Sequence, residues 1–245
     1  MSRNLLITAV IAISLFSTAV LCSAQQGDAT TEDGKVHVEI MPYLLVPGMS
    51  GQVSLKGTTQ SINASAGDIL SHLQFGFMAR THLSYNRWFA GTDTVYMGLG
   101  GANDLVDAGF DQWAAELLGG YQVNRRIALL GGVRYNSLSA NIQFKGPLGA
   151  NPRGSQVWWD PFFGGIGNYP LGKKFSFSAR LDVGGFGAGS RIAVNSEPLV
   201  NYHFNQHFTG SAGWKFFYQD YLNAGSGFEY DVLTQGPMIG FAMHW

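Results

Sequence analysis

The sequence predicts a closed antiparallel transmembrane β-barrel, and three observations carry that expectation. Charged residues fill only 13% of the 245 positions, and aromatic residues fill as many; an ordinary soluble domain carries about 25% charge. Apolar and other residues alternate with period two over most of the chain, as in a strand with two unlike faces. Short polar turns alternate with longer connections, as in barrels with short periplasmic turns and longer extracellular loops. The net charge of -1 excludes the basic surplus that nucleic-acid binding needs. The apolar content excludes disorder.

The N-terminus reads as an address. Arg3 precedes an uncharged stretch to Gly27, nearly all apolar from Leu5 to Val20. Cys22-Ser23-Ala24 supplies small residues where a signal peptidase cuts. A lipoprotein cut before Cys22 would want a small residue at Leu21, and an uncleaved anchor would want ~20 apolar residues. The expected division is a signal peptide over 1–24, a periplasmic segment over 25–35 and a barrel over 36–245. Cys22 is the only cysteine. The exported chain therefore has no disulfide framework, thiolate metal site or cysteine nucleophile.

Ten strands follow, at about 36–46, 73–85, 88–100, 109–123, 127–144, 157–169, 174–187, 190–204, 208–220 and 228–245. Asn86-Arg87, Asn124-Arg125-Arg126, Leu171-Gly172-Lys173-Lys174 and Asn205-Gln206-His207 are the short turns. Eight strands would remain if one hairpin lay outside the barrel. Twelve would result if residues 52–62 added a pair. Ser65-Ala66-Gly67-Asp68 has capping-box spacing and predicts one helical turn in the first long loop. The last strand is the clearest, with Ile239, Phe241, Met243 and Trp245 on one face and Gly240, Ala242 and His244 on the other.

A soluble lipocalin-like barrel would alternate in the same way. Three features favour the membrane. The less apolar face is rich in Gly, Ser, Ala and Asn, which suits a crowded lumen. Aromatic residues gather at both strand ends: Tyr85, Trp88, Tyr121, Tyr169, Phe175, Tyr202, Phe204 and Trp245 by the short turns, and Tyr96, Trp113, Tyr135, Trp159, Tyr218 and Tyr230 toward the loops. Two such belts match two membrane interfaces. The chain also ends on an alternating aromatic strand, and Phe241, Met243 and Trp245 form an expected C-terminal assembly signal.

By register, Glu39, Arg80, Asp93, Glu116, Arg134, Asp160, Arg180, Asp182, Arg191, Glu197 and Lys215 face inward. Six acids then stand against five bases. Balanced signs predict an ion-pair network that fills the lumen. A selective pore would more often show a ring of one sign. No nucleophile–base–acid set is legible. His37, His82, His203, His207 and His244 lie toward the periplasmic half, and only His72, beside Asp68, lies near the loops. The acids Asp104, Asp107, Asp111, Asp220, Glu229 and Asp231 form a loop rim without a paired His. No metal or cofactor site is expected.

Several segments together resemble a family of uncharacterised outer-membrane β-barrel proteins of Gram-negative bacteria. They are Met41-Pro42-Tyr43-Leu44, Gly48-Met49-Ser50-Gly51, the run Gly67 to Met78, Leu118-Gly119-Gly120-Tyr121, Gly131-Gly132-Val133-Arg134-Tyr135, Trp159-Asp160-Pro161-Phe162, Leu181 to Gly187, and Tyr230-Asp231 through Phe241. The resemblance spans about 36–245 and implies a barrel in the outer membrane, with no activity or catalytic residue to transfer. The expected role is structural or surface-exposed, without catalysis. A narrow porin-like passive channel is the second reading, and a lipid- or peptide-modifying enzyme the third. The expected partners are outer-membrane lipid, lipopolysaccharide and the outer-membrane insertion machinery, around a monomer.

Overall fold

The computed structural model describes residues 34–55, 57–102, 106–144 and 153–245. The expected signal peptide, most of the segment 25–35, Asp104 and the loop 145–152 lie outside the described residues. Within them are twelve strands and one short helix: β1 (Val36–Leu45), β2 (Gly48–Leu55), β3 (Thr58–Ala64), α1 (Ala66–His72), β4 (Leu73–Tyr85), β5 (Trp88–Ala102), β6 (Val106–Asn124), β7 (Ile127–Phe144), β8 (Arg153–Pro170), β9 (Phe175–Gly184), β10 (Ser190–His203), β11 (Phe208–Asn223) and β12 (Phe228–His244).

Ten of the strands close into a barrel. The order runs from β1 to β4, then consecutively to β12, which pairs back onto β1. Val38 and Trp245 exchange the closing hydrogen bonds, N to O, at 3.0 and 2.9 Å. Closure matters because lipid offers no partner for a free strand edge. β2 and β3 form a hairpin outside this ring. β2 pairs the first half of β12 through Gly48↔Gln235, while β1 pairs the second half through Leu45↔Met238. The expected ten-stranded ring therefore holds, and the alternative pair near 52–62 exists but extends the wall without entering the ring.

Three of the four short turns have a local cause in an Asn. Asn86 adopts φ 52°, a left-handed conformation that Asn tolerates. The Asn124 side chain accepts from the backbone N–H of Arg126 and Ile127, and Asn205 accepts likewise from His207 and Phe208. These are turns built by an Asx side chain. The helical turn also forms as its spacing predicts. The Ser65 hydroxyl accepts from Asp68 N while the Asp68 carboxylate accepts from Ser65 N. The Ser65 hydroxyl and backbone N–H hold the Asp68 carboxyl below its ordinary value. The cap aims Ile69 into the loop-side mouth of the barrel, where it is 3% exposed.

The outer surface carries two aromatic girdles. Trp88 and Tyr121 meet edge-on near the short turns, and Trp113, Tyr135 and Trp159 form an edge-on ladder toward the loops. Trp113 and Tyr121 share β6 eight residues apart. That separation is roughly 26 Å along a strand, or ~20 Å along the axis at a tilt of about 40°, close to the ~25 Å apolar band of a transmembrane barrel. The exposed Leu117, Leu129 and Val133 lie between the girdles. Tyr230 does not belong to the loop-side belt. It is buried in the lumen, beside Trp158.

The lumen is filled in layers. Phe89, Leu118, Ala128, Leu130 and Phe162 pack at the short-turn end. Met49, Ile69, Met97, Leu138, Trp158 and Tyr230 are among the residues that pack at the loop end. Buried charges lie between them. The interior is thus less uniformly polar than alternation suggests: many inward positions at both ends are apolar and pack as a core. Among the described residues no helix is long and apolar enough to cross a membrane.

Candidate functional site: the charged lumen

The charged layer arises from register. Arg80 faces Asp93, Asp93 faces Glu116, Glu116 faces Arg134 and Arg134 faces Asp160 as successive cross-strand partners on β4 to β8. Arg180 faces Glu197 across β9 and β10. Inward charges on neighbouring strands, with Arg180 and Asp182 both on β9, gather into one belt.

Within the belt the groups form two quartets. In the first, Arg134 donates from Nε to Glu116 at 2.7 Å and from Nη2 to Asp182 at 2.8 Å. Arg180 donates from Nη2 to Glu116 at 2.7 Å and from Nε to Asp182 at 2.8 Å. Each guanidinium therefore bridges both carboxylates. In the second, Arg80 Nη2 contacts Asp93 at 2.7 Å and Glu197 at 2.8 Å, and Lys215 also pairs with Glu197. Tyr43 donates its hydroxyl to Asp93 at 2.7 Å. Each quartet holds two cations and two anions, so neither has net charge. The Arg134 guanidinium also lies over the rings of Phe162 and Phe217, 4.8 and 4.6 Å from their centroids. Aromatic faces attract a desolvated cation.

Three of the expected lumen charges behave differently. Asp160 is fully buried and pairs with no cation among the described residues. Its carboxylate accepts from Ser190 N, Ser190 Oγ, Asn136 Nδ2, Trp158 Nε1 and Gln219 Nε2. These bonds pin the start of β10 below the glycine-rich 184–189 bend. Glu39 stands apart at the short-turn end and pairs with His244 at 3.3 Å. Arg191 is not in the lumen. It is 46% exposed and bridges Asp220 and Glu229 at the rim. The cause is a register shift between Ser190 and Ile192. Such a bulge inserts a residue and reverses the face on which the next side chain emerges.

Four of the rim acids have local partners, while Asp104 and the side chain of Asp107 lie outside what the structure describes. Tyr96 donates to Asp111 and Tyr218 to Asp231, each at 2.8 Å, while Arg191 serves Asp220 and Glu229. His72 contacts the Asp68 carbonyl oxygen and not its carboxylate. Among the described residues no group of His, Cys, Asp and Glu could hold a metal ion.

A second polar cluster, which the sequence reading missed, lies at the short-turn end. Glu39, His244, Thr209, His203 and Ser176 form a chain with links of 3.3, 3.1, 3.1 and 3.0 Å. Its five members come from β1, β12, β11, β10 and β9, which are adjacent in the barrel. The carboxylate–imidazole–hydroxyl order is that of a nucleophilic relay. Thr209 is buried, however, and both imidazoles already engage its oxygen. The arrangement ties the five strand ends across the closing seam. The signal in the sequence was the recurrence of His, Ser and Thr at inward positions close to the turns.

No family model matches the chain, and no curated protein matches it. Among solved structures it is similar to Ail, the attachment invasion locus protein of Yersinia pestis, at 12% identity, TM-score 0.43, covering 86% of this chain and 98% of that one. It is similar to the translocator domain of the autotransporter NalP of Neisseria meningitidis at 14% identity, TM-score 0.43, covering 98% and 93%. A Pseudomonas aeruginosa FadL homologue gives 9% identity, TM-score 0.42, covering 87% and 90%. None of these likenesses assigns an activity to this chain. Its own closed ring, girdles and charged core make it a transmembrane β-barrel.

Proposed function

We propose that this chain is a monomeric outer-membrane β-barrel protein with a structural or surface-exposed role, in which the barrel is a closed body and not a conduit. The sealed mid-lumen layer carries the reading. Two neutral quartets fill it, and Arg134, Asp182 and Glu197 within them are no more than 1% exposed. A neutral layer of mutually paired charges offers a passing ion no net field. Apolar packing on both sides of the layer would also have to part before water could form a continuous file. The girdles and exposed apolar band fit outer-membrane lipid, with lipopolysaccharide beyond the loop-side girdle. The exposure of Phe241 and Trp245 at the end of the chain supports their reading as a C-terminal signal for the insertion machinery. No catalytic role is assigned to any residue.

The test is single-channel recording of the refolded protein in a planar bilayer, with folding verified by heat-modifiable gel migration. Silence from folded protein is expected. Steady, reproducible openings would overturn the reading in favour of a narrow passive channel.

A further inference from the structure

The hydrogen-bond ladder of the barrel wall stops along the first half of β4. β1 pairs β4 from Val36↔Tyr85 to Pro42↔Ala79 and no further. Beyond that rung β1 continues along β12, then β2 turns outward to pair with β3. The first half of β4 has no strand partner on that side among the described residues. The Leu45 N–H, which would continue the ladder, donates to the Met78 sulfur at 3.2 Å instead. The seam is therefore closed by side chains. Leu44, Phe75 and Phe77 flank it on the outer surface, all strongly exposed, and Phe77 faces Tyr96, so it lies at the level of the loop-side girdle.

A cavity of about 50 Å³ lies directly behind the seam. Leu45, Pro47 and Met78 form its seam side, and Val95, Met97 and Phe217 are among its other apolar walls. Its polar lining includes Gln112 and Arg134. Gln112 Oε1 and Arg134 Nη1 are two of the four buried side-chain atoms without a hydrogen-bond partner among the described residues. One is an acceptor and the other a donor. Leaving such atoms without a partner is unfavourable.

We propose that this cavity binds the head group of a single-chain carboxylic acid, with the acyl chain leaving between Leu45 and Met78 into the surrounding lipid leaflet. A protonated carboxyl group supplies both missing partners: its carbonyl oxygen accepts from Arg134 and its O–H donates to Gln112. The neutral form suits the site because the surrounding quartets are already balanced. The cavity has room for about three to five water-sized groups at ~10–15 Å³ each. It can hold a head group but not a chain, so the chain must cross the seam. Met78 suits that crossing, since an unbranched thioether repacks at low cost.

The test uses the full folded protein in detergent, stripped of lipid, with lauric acid as the probe and dodecane and methyl laurate as controls. Native mass spectrometry is expected to show one laurate adduct per chain, with dodecane and the ester bound at least tenfold more weakly. Gln112→Leu touches none of the ion pairs and should weaken laurate binding about tenfold. Ala114→Leu fills the cavity and should abolish it. Independently, Met78→Cys in a Cys22→Ser background should react with a bilayer-soluble maleimide, and lauric acid should block that reaction. This second measurement stands even if a cavity variant fails to fold. The absence of an adduct on folded protein would mean a cavity holding water only and would overturn the proposal. Equal binding of dodecane, undiminished binding in both folded variants, or maleimide labelling indifferent to lauric acid would overturn it as well.

Discussion

Arg134 bridges Glu116 and Asp182 and lies between two aromatic rings, so its removal exposes two acids to each other inside a dry core. Breaking a buried pair by deleting one partner costs about 3–5 kcal/mol. Arg134→Ala and Arg180→Ala should each lower the urea midpoint of the detergent-folded protein by a corresponding amount. Arg134→Lys should recover only part of the loss, because an ammonium cannot span both carboxylates with a planar fork. Asp160 poses a different problem. All five of its partners donate, so Asp160→Asn turns an NH₂ group toward donors and should cost about 1–3 kcal/mol in the same unfolding measurement. Glycine sets a steric limit at Gly132, where an added Cβ would lie 2.1 Å from the Leu117 carbonyl oxygen. Gly132→Ala should leave little heat-modifiable protein.

At the scale of elements, α1 depends on its cap and β12 on its last residue. The Asp68 carboxyl is held below its ordinary value by Ser65. A depressed folded value means that the cap is fully formed above the ordinary carboxylate range and weakens as pH falls through the lowered value. The Ser65 and Asp68 amide resonances should shift together on acidification, and Asp68→Asn should abolish the shared titration in NMR spectra. Trp245 carries both hydrogen bonds of the closing rung with Val38. Its deletion should slow assembly, read as a smaller heat-modifiable fraction in membranes. Normal amounts of folded protein would mean that the rungs from Glu39↔His244 onward suffice.

For the whole molecule, closure and filling are separate achievements. Closure satisfies the backbone in lipid and is completed by the β1–β12 seam, with the Glu39 to Ser176 chain tying the ends of five strands. Filling comes from apolar layers at both mouths and the neutral belt between them. A barrel of this kind should resist unfolding more through its seam and belt than through its loops. Removing the β2–β3 hairpin tip should therefore leave barrel closure intact, with an unchanged melting transition in detergent.

Local chemistry is written in the chain. Alternation marks the strands, Asn marks the turns, the Ser65–Asp68 spacing marks the helix, and inward charges on successive strands foretell a belt, because each depends on neighbours a few residues apart. Register across strands is not local. A one-residue bulge at Ser190–Ile192 reverses a face, which is why Arg191 lies at the rim although strict alternation puts it inside. The bridging of the two quartets, the isolation of Asp160 and the Glu39 to Ser176 chain depend on contacts between side chains far apart in sequence. The broken ladder above Pro42 and Ala79 is likewise a tertiary outcome. β1 has two possible neighbours there, and only the closed barrel decides that it follows β12 and leaves β4.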